Sequence, residues 1–177
     1  MDTREIELFH GTSAYAGRAI FCEGARDFLS EVGAKELAHE IWPIILNAAG
    51  SFPQTANLFT AAGSDFPIGA PTALQNVFDS YDRSTFAYGI FYVSTNLMAA
   101  CRYVLRSITG SELLLMIAEA IKVLRWLSHP LGDQWSKLYP ELAAVYEKPK
   151  HPIILVLTNV EEKRLFDENG GPPNLNR

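Results

Sequence analysis

The spacing of apolar positions changes along the chain, and the changes mark its elements. Glu5-Ile6-Glu7-Leu8-Phe9-His10 partly alternates polar and apolar residues, the period of a strand with one buried face. Gly11, Thr12 and Ser13 are expected to break that strand. Thr12 or Ser13 would then cap a helix over about 14–22, with Gly24 at its end. Leu37, Ile41, Ile44 and Ile45 recur near helical spacing and predict a helix over about 33–48. Pro43 falls inside it and predicts a kink or a split, because proline offers no amide hydrogen. Gly50, Pro53, Gly63, Pro67, Gly69 and Pro71 punctuate the next stretch, which reads as a loop over 50–71. A helical turn or two is expected near Ala73 to Phe78.

Phe86 to Val93 is aromatic and β-branched and reads as a buried strand. Asn96 can cap a helix over about 97–107, and Ser111 can open another over about 112–128 that ends near Ser128-His129-Pro130. A further helix is predicted over about 133–146. Pro149 and Pro152 bracket a stop, and Ile153 to Leu157 reads as the clearest core strand. The tail from Asn169 to Arg177 is turn-like and expected to be flexible. The order strand, helices, strand, helices, strand predicts an α+β domain with more helix than strand.

Composition narrows the function classes. At 177 residues and 48% apolar, the chain can bury one domain's core. A net charge of −5 gives no broad electrostatic footprint for DNA or an anionic membrane. Cys22 and Cys101 have no metal spacing and form no CxxC pair, so they are expected as free buried thiols. His10, His39, His129 and His151 likewise lack metal spacing, so no metal site is expected. His39 reads as a helix-surface residue and His129 as a helix-end group favourable to the dipole. The polar, acidic N-terminus does not read as a signal peptide, and the apolar run Leu113 to Ile117 is too short to span a bilayer. A cytoplasmic, membrane-free protein is expected. No Walker A, GxSxG or Rossmann fingerprint occurs.

Two segments can carry chemistry. In Leu8-Phe9-His10-Gly11-Thr12-Ser13 an imidazole stands beside a glycine, whose backbone no Cβ shields. That pairing suits a carboxamide and a ribose hydroxyl; it equally suits a strand end and a turn. In Tyr88-Gly89-Ile90-Phe91-Tyr92-Val93-Ser94-Thr95, strand alternation places Tyr88, Ile90 and Tyr92 on one face. Such a face either stacks on a ligand or fills a core. Arg102 and Arg106, four apart on the following helix, can meet a pyrophosphate or remain solvated.

Taken together and in order, the two blocks resemble the ADP-ribosyltransferase superfamily. The closest likeness is to its His-Tyr-Glu branch, which holds diphtheria-toxin-like and poly(ADP-ribose)-polymerase-like enzymes and small bacterial toxins. The resemblance implies a split or curved sheet with surrounding helices, with NAD as substrate. It implies transfer of ADP-ribose to a macromolecule with release of nicotinamide. His10 would hydrogen-bond a ribose hydroxyl, and the Gly11 backbone would bind the nicotinamide carboxamide. Thr12 or Ser13 would support the adjacent ribose or the histidine. Tyr92 would stack on the nicotinamide ring, with Tyr103 on the next helix as a further cofactor contact. A tyrosine face attracts the cationic ring by about 0.5–2 kcal/mol. The branch's glutamate has candidates in Glu161, Glu162 and Glu168, with Glu147 ahead of the last strand; Glu168 ranks first. The segment over about 33–72 would be a helical insertion between the two motifs, covering the cleft or touching a target.

At family level the implied partners are a macromolecular acceptor and an antitoxin or host target, the latter reached by delivery into a host cytosol. The acidic pI favours protein over nucleic acid as acceptor. Two other readings stay open. One is a catalytically degenerate relative that binds NAD or a protein through the same cleft. The other is a helical interaction protein in which both blocks are core.

Overall fold

A computed structural model describes residues 7–14, 16–18, 32–79, 93–106, 111–148 and 151–160. In chain order its elements are β1 (Leu8–Ser13), α1 (Ala34–Ala49), α2 (Thr55–Ala61), α3 (Gly69–Asp79), α4 (Leu97–Arg106), α5 (Glu112–Trp126), α6 (Leu131–Leu138), α7 (Pro140–Glu147) and β2 (Pro152–Leu157). The fold is mixed helix and strand, mostly helical, with a two-stranded antiparallel sheet among the described residues. Two compact units divide the chain. One takes Met1–Ala25, Ile90–Gly110 and Pro149–Arg177; the other takes Arg26–Gly89 and Ser111–Lys148.

In the first unit β1 and β2 pair over six residues, from Leu8 opposite Leu157 to Ser13 opposite Pro152. The strand expected to stop before Gly11 therefore runs on through Thr12 and Ser13. The reason is the partner: Ile153 and Ile154 pair with Thr12 and Gly11, and ladder bonds override the local turn preference of glycine. Ser13 still acts as a cap, since its Oγ accepts the Ala16 amide hydrogen at 3.3 Å. β2 is less buried than its composition suggested, with Pro152 and Val156 exposed and the remainder intermediate. α4 packs on both strands.

In the second unit α5 is central, touching α1, α2, α3 and α6. Leu113, Leu114, Met116, Ile117, Ala120, Ile121, Val123 and Leu124 are all buried and share one broad face of α5, while Lys122 and Arg125 lie on the other. α1 faces it with Leu37, Ile41, Trp42 and Ile45, and runs unsplit through Pro43, which is exposed. Trp42 Nε1 donates to Gln75 Oε1 at 2.9 Å, which satisfies the one polar group of that buried ring.

Three helical expectations need correction. The presumed loop over 50–71 contains α2, because Leu58 and Phe59 reach the core and are fully buried. The helix expected near Ala73 to Phe78 begins earlier, at Gly69. Pro71 lies in its first turn, where a missing amide hydrogen costs nothing. The single helix over 133–146 is two helices, α6 and α7, broken at Tyr139. Tyr139 precedes Pro140 and adopts φ −126°, ψ 67°, outside the helical region that a following proline disfavours.

His39 also differs from its expected surface role: it is half-buried, its ring stacked on Phe78 at 5.1 Å. His129 Nδ1 accepts the Leu131 amide hydrogen at 3.2 Å. Cys101 is a free, half-buried thiol, and Cys22 lies outside the described residues. No helix among the described residues is long and apolar enough to cross a membrane.

Candidate functional site

The site begins at the edge of β1 that β2 does not cover. Phe9 donates its amide hydrogen to the Ser94 carbonyl at 2.8 Å, and Ser94 returns the bond to the Phe9 carbonyl at 2.9 Å. This bridge joins the two sequence blocks edge to edge. Backbone groups alternate sides along an antiparallel strand. Leu8, His10 and Thr12 therefore turn theirs to β2, and Phe9, Gly11 and Ser13 turn theirs the other way. The Ala14 amide, which donates to the His151 carbonyl at 2.8 Å beyond the strand, keeps the same parity.

Side chains alternate between the two faces. Gly11 faces α4: a Cβ built there would overlap the carbonyl oxygen of Ala100 and stand 3.0 Å from Val104 Cβ. Only glycine lets the helix approach so closely. His10 and Thr12 point to the opposite face, where Thr12 Cγ2 and Ile153 lie close to Gly17. Thr12 and Ser13 are buried, at 1% and 3% exposure, whereas His10 is half-buried. Of the candidates in this block, the histidine is therefore the one that solvent reaches.

α4 is set by local hydrogen bonds. Ser94 Oγ accepts the Asn96 amide hydrogen at 3.0 Å. Asn96 Oδ1 accepts from the Met98 and Ala99 amides at 2.9 and 3.2 Å, the cap expected from sequence. Ala100 and Val104, four apart, form the buried line against β1. Tyr103 lies off that line and is 42% exposed. Arg102 is exposed on the same helix.

The structure thus brings His10, Gly11, Thr12, Ser13 and the helix carrying Tyr103 into one unit, with Ser94 against the strand. It does not gather them on one face, since α4 covers the Gly11 side and His10 points away from it. Tyr88, Tyr92, Glu161, Glu162 and Glu168 lie outside the described residues. Glu147 ends α7 in the other unit and is exposed. Among the described residues no three His, Cys, Asp or Glu side chains are placed to hold a metal.

Sequence reasoning missed a second polar cluster, in the helical unit. Glu119 is 2% exposed on α5. Its Oε2 accepts from Ser64 Oγ at 2.6 Å and the Asp65 amide at 2.8 Å, and its Oε1 accepts from Lys122 Nζ at 2.8 Å. Lys122 also pairs with Asp65 at 2.8 Å. The Asp65 and Glu119 hydrogen bonds hold the Lys122 ammonium above its usual pKa. A glutamate inside the run Leu113 to Ile121 was the available signal. Both carboxylate oxygens of Glu119 are hydrogen-bonded within the protein, and they tie the turn before α3 to the core helix.

No family model matches the chain, and neither a curated protein nor a solved structure matches it.

Proposed function

We propose that the chain is an NAD-dependent ADP-ribosyltransferase, with an ADP-ribosyltransferase-like split sheet and a protein as acceptor. One observation carries the reading. The two blocks chosen for their chemistry, far apart in sequence, are joined by the paired hydrogen bonds of Phe9 and Ser94. The helix after the second block packs on the glycine of the first. In this reading His10 holds a ribose hydroxyl and the Gly11 backbone the carboxamide. Tyr92 stacks on the nicotinamide ring and Tyr103 contacts the cofactor from α4. The bond from ribose C1′ to the ring nitrogen breaks, nicotinamide leaves with the electron pair, and Glu168 stabilises the positive charge on the ribose. A nucleophile on the acceptor then takes C1′ and gives up its proton. A small enzyme of this kind acts as a toxin or effector in a cytosol, with an antitoxin or host target as partner.

Nicotinamide release from NAD by the purified chain tests the reading. The expected result is release by the wild type that His10→Ala and Tyr92→Ala both abolish, at nearly unchanged melting temperatures. Absence of release together with absence of an NAD-induced thermal shift overturns it.

A second reading has its own support in the close fit of Gly11 on Ala100 and Val104. There the first block is a packing motif and the chain an interaction protein. That reading requires His10→Ala to lower the melting temperature and NAD to leave it unmoved.

A further inference from the structure

We infer that Asn96 is a positioning residue for the NAD site, an inference that rests on the ADP-ribosyltransferase reading. Asn96 joins two anchors, Ser94 and Ala100, through its main chain, and its side chain caps the first turn of the helix that carries the second. Its amide hydrogen goes to Ser94 Oγ at 3.0 Å. Its Oδ1 accepts from the Met98 and Ala99 amides at 2.9 and 3.2 Å, and its main-chain carbonyl accepts from the Ala100 amide at 3.2 Å.

Both anchors bear on the same strand. Ser94 is fixed to Phe9 by two backbone bonds. Ala100 is the residue whose carbonyl oxygen lies against Gly11. The path Phe9, Ser94, Asn96, Ala100, Gly11 is therefore a closed ring of contacts around the β1 edge. That edge is the one to which Gly11 turns its backbone groups, and to which the functional reading assigns the carboxamide. Asn96 is the residue in the ring that bonds to both the bridge and the helix.

Exposure sets the energetics. Asn96, Met98 and Ala99 are exposed, so loss of the side-chain acceptor hands the two amides to water. The first turn of α4 loosens without unfolding. Ala100 then no longer holds Gly11 in one position, and binding of the ligand must re-order the edge. The cost falls on NAD binding, while the reacting groups stay as they were. An aspartate at this position keeps an oxygen acceptor of the same reach and suits the positive end of the helix dipole.

The test is steady-state nicotinamide release by the full chain, well below its melting temperature, for wild type, Asn96→Ala and Asn96→Asp. Ser64→Ala, which belongs to the other unit and has no bond to this ring, serves as a destabilised control. Asn96→Ala should raise KM for NAD about fivefold, the factor that corresponds to loss of a typical helix cap, with kcat nearly unchanged. Asn96→Asp should restore KM, and Ser64→Ala should lower the melting temperature without moving it. A wild-type enzyme that releases nicotinamide while Asn96→Ala keeps the wild-type KM overturns the positioning role and leaves the functional reading intact. So does an Asn96→Asp chain that behaves as Asn96→Ala. A wild type that neither releases nicotinamide nor is shifted by NAD overturns the functional reading itself, and the positioning role with it.

Discussion

Gly11 and Ala100 lie so close that a methyl group on the glycine would overlap the helix carbonyl oxygen. The obstacle is main chain at the buried seam of α4, so it cannot swing aside as a flexible side chain would. Gly11→Ala must push α4 off β1 or twist the strand out of register with β2. The expected loss of stability is about 2–3 kcal/mol, at the upper end of overpacking costs. Urea denaturation reads it directly. A midpoint equal to that of the wild type would mean that α4 does not sit on this strand.

The reach of sequence reasoning can be judged at individual residues. Asn96 was readable as a cap because its short side chain precedes an apolar helical pattern and needs no distant partner. α1 was readable for the same local reason, within a residue or two at its ends. α2 was not, because glycine and proline dominate its flanks. Leu58 and Phe59 form a helix there only once a core exists to receive them. The strand through Gly11 needed β2, and Glu119 needed Ser64 and Asp65. None of these pairings has a sequence period. Within the site, the adjacency of the two blocks was implied only by family resemblance. No local pattern says that Phe9 pairs with Ser94.

Pro43 stands on the exposed side of α1 and interrupts nothing in the packing. Its ring removes one helical hydrogen bond and crowds the preceding turn. Pro43→Ala restores the donor on a surface where no core contact changes. Stability should rise by about 1–3 kcal/mol, short of the full proline penalty because the helix already accommodates the ring. Thermal unfolding measures the gain. An unchanged or lowered melting temperature would show that the proline is required for the course of α1.

Alkaline pH should weaken the helical unit by a defined route. Burial first, and then the 2.8 Å hydrogen bond to Glu40, push the Tyr139 hydroxyl from 10.0 up to about 12. Burial also raises Tyr146, whose hydroxyl donates to the Leu114 carbonyl. A raised folded-state value means that the unfolded chain loses its proton first. The contribution is intact below about pH 10 and is lost as pH climbs from there toward 12. Lys122, held protonated by Asp65 and Glu119, acts in the same direction above its ordinary 10.5. Denaturation midpoints should be level near neutrality and fall beyond about pH 10. Tyr139→Phe should start lower, having lost a hydrogen bond, and fall less steeply. Parallel curves for the two proteins would remove Tyr139 from the account.

Glu119 should be the polar side chain on which the helical unit depends most. Its carboxylate is 2% exposed and holds Ser64 Oγ, the Asp65 amide and Lys122 Nζ. Glu119→Ala removes the acceptor of a charge-assisted network and leaves the 64–65 turn without its tie to α5, at an expected cost of about 2–4 kcal/mol. Lys122→Ala should cost less, about 1–2 kcal/mol: water replaces its pairing with the exposed Asp65, while the buried Glu119 Oε1 loses a partner and keeps the bonds of its other oxygen. Ser64→Ala should fall between them. In a double-mutant cycle, Ser64→Ala with Glu119→Ala should show a coupling of about 1 kcal/mol, since both ends of one 2.6 Å hydrogen bond are removed. Strict additivity would mean that the turn is held by its backbone amide alone.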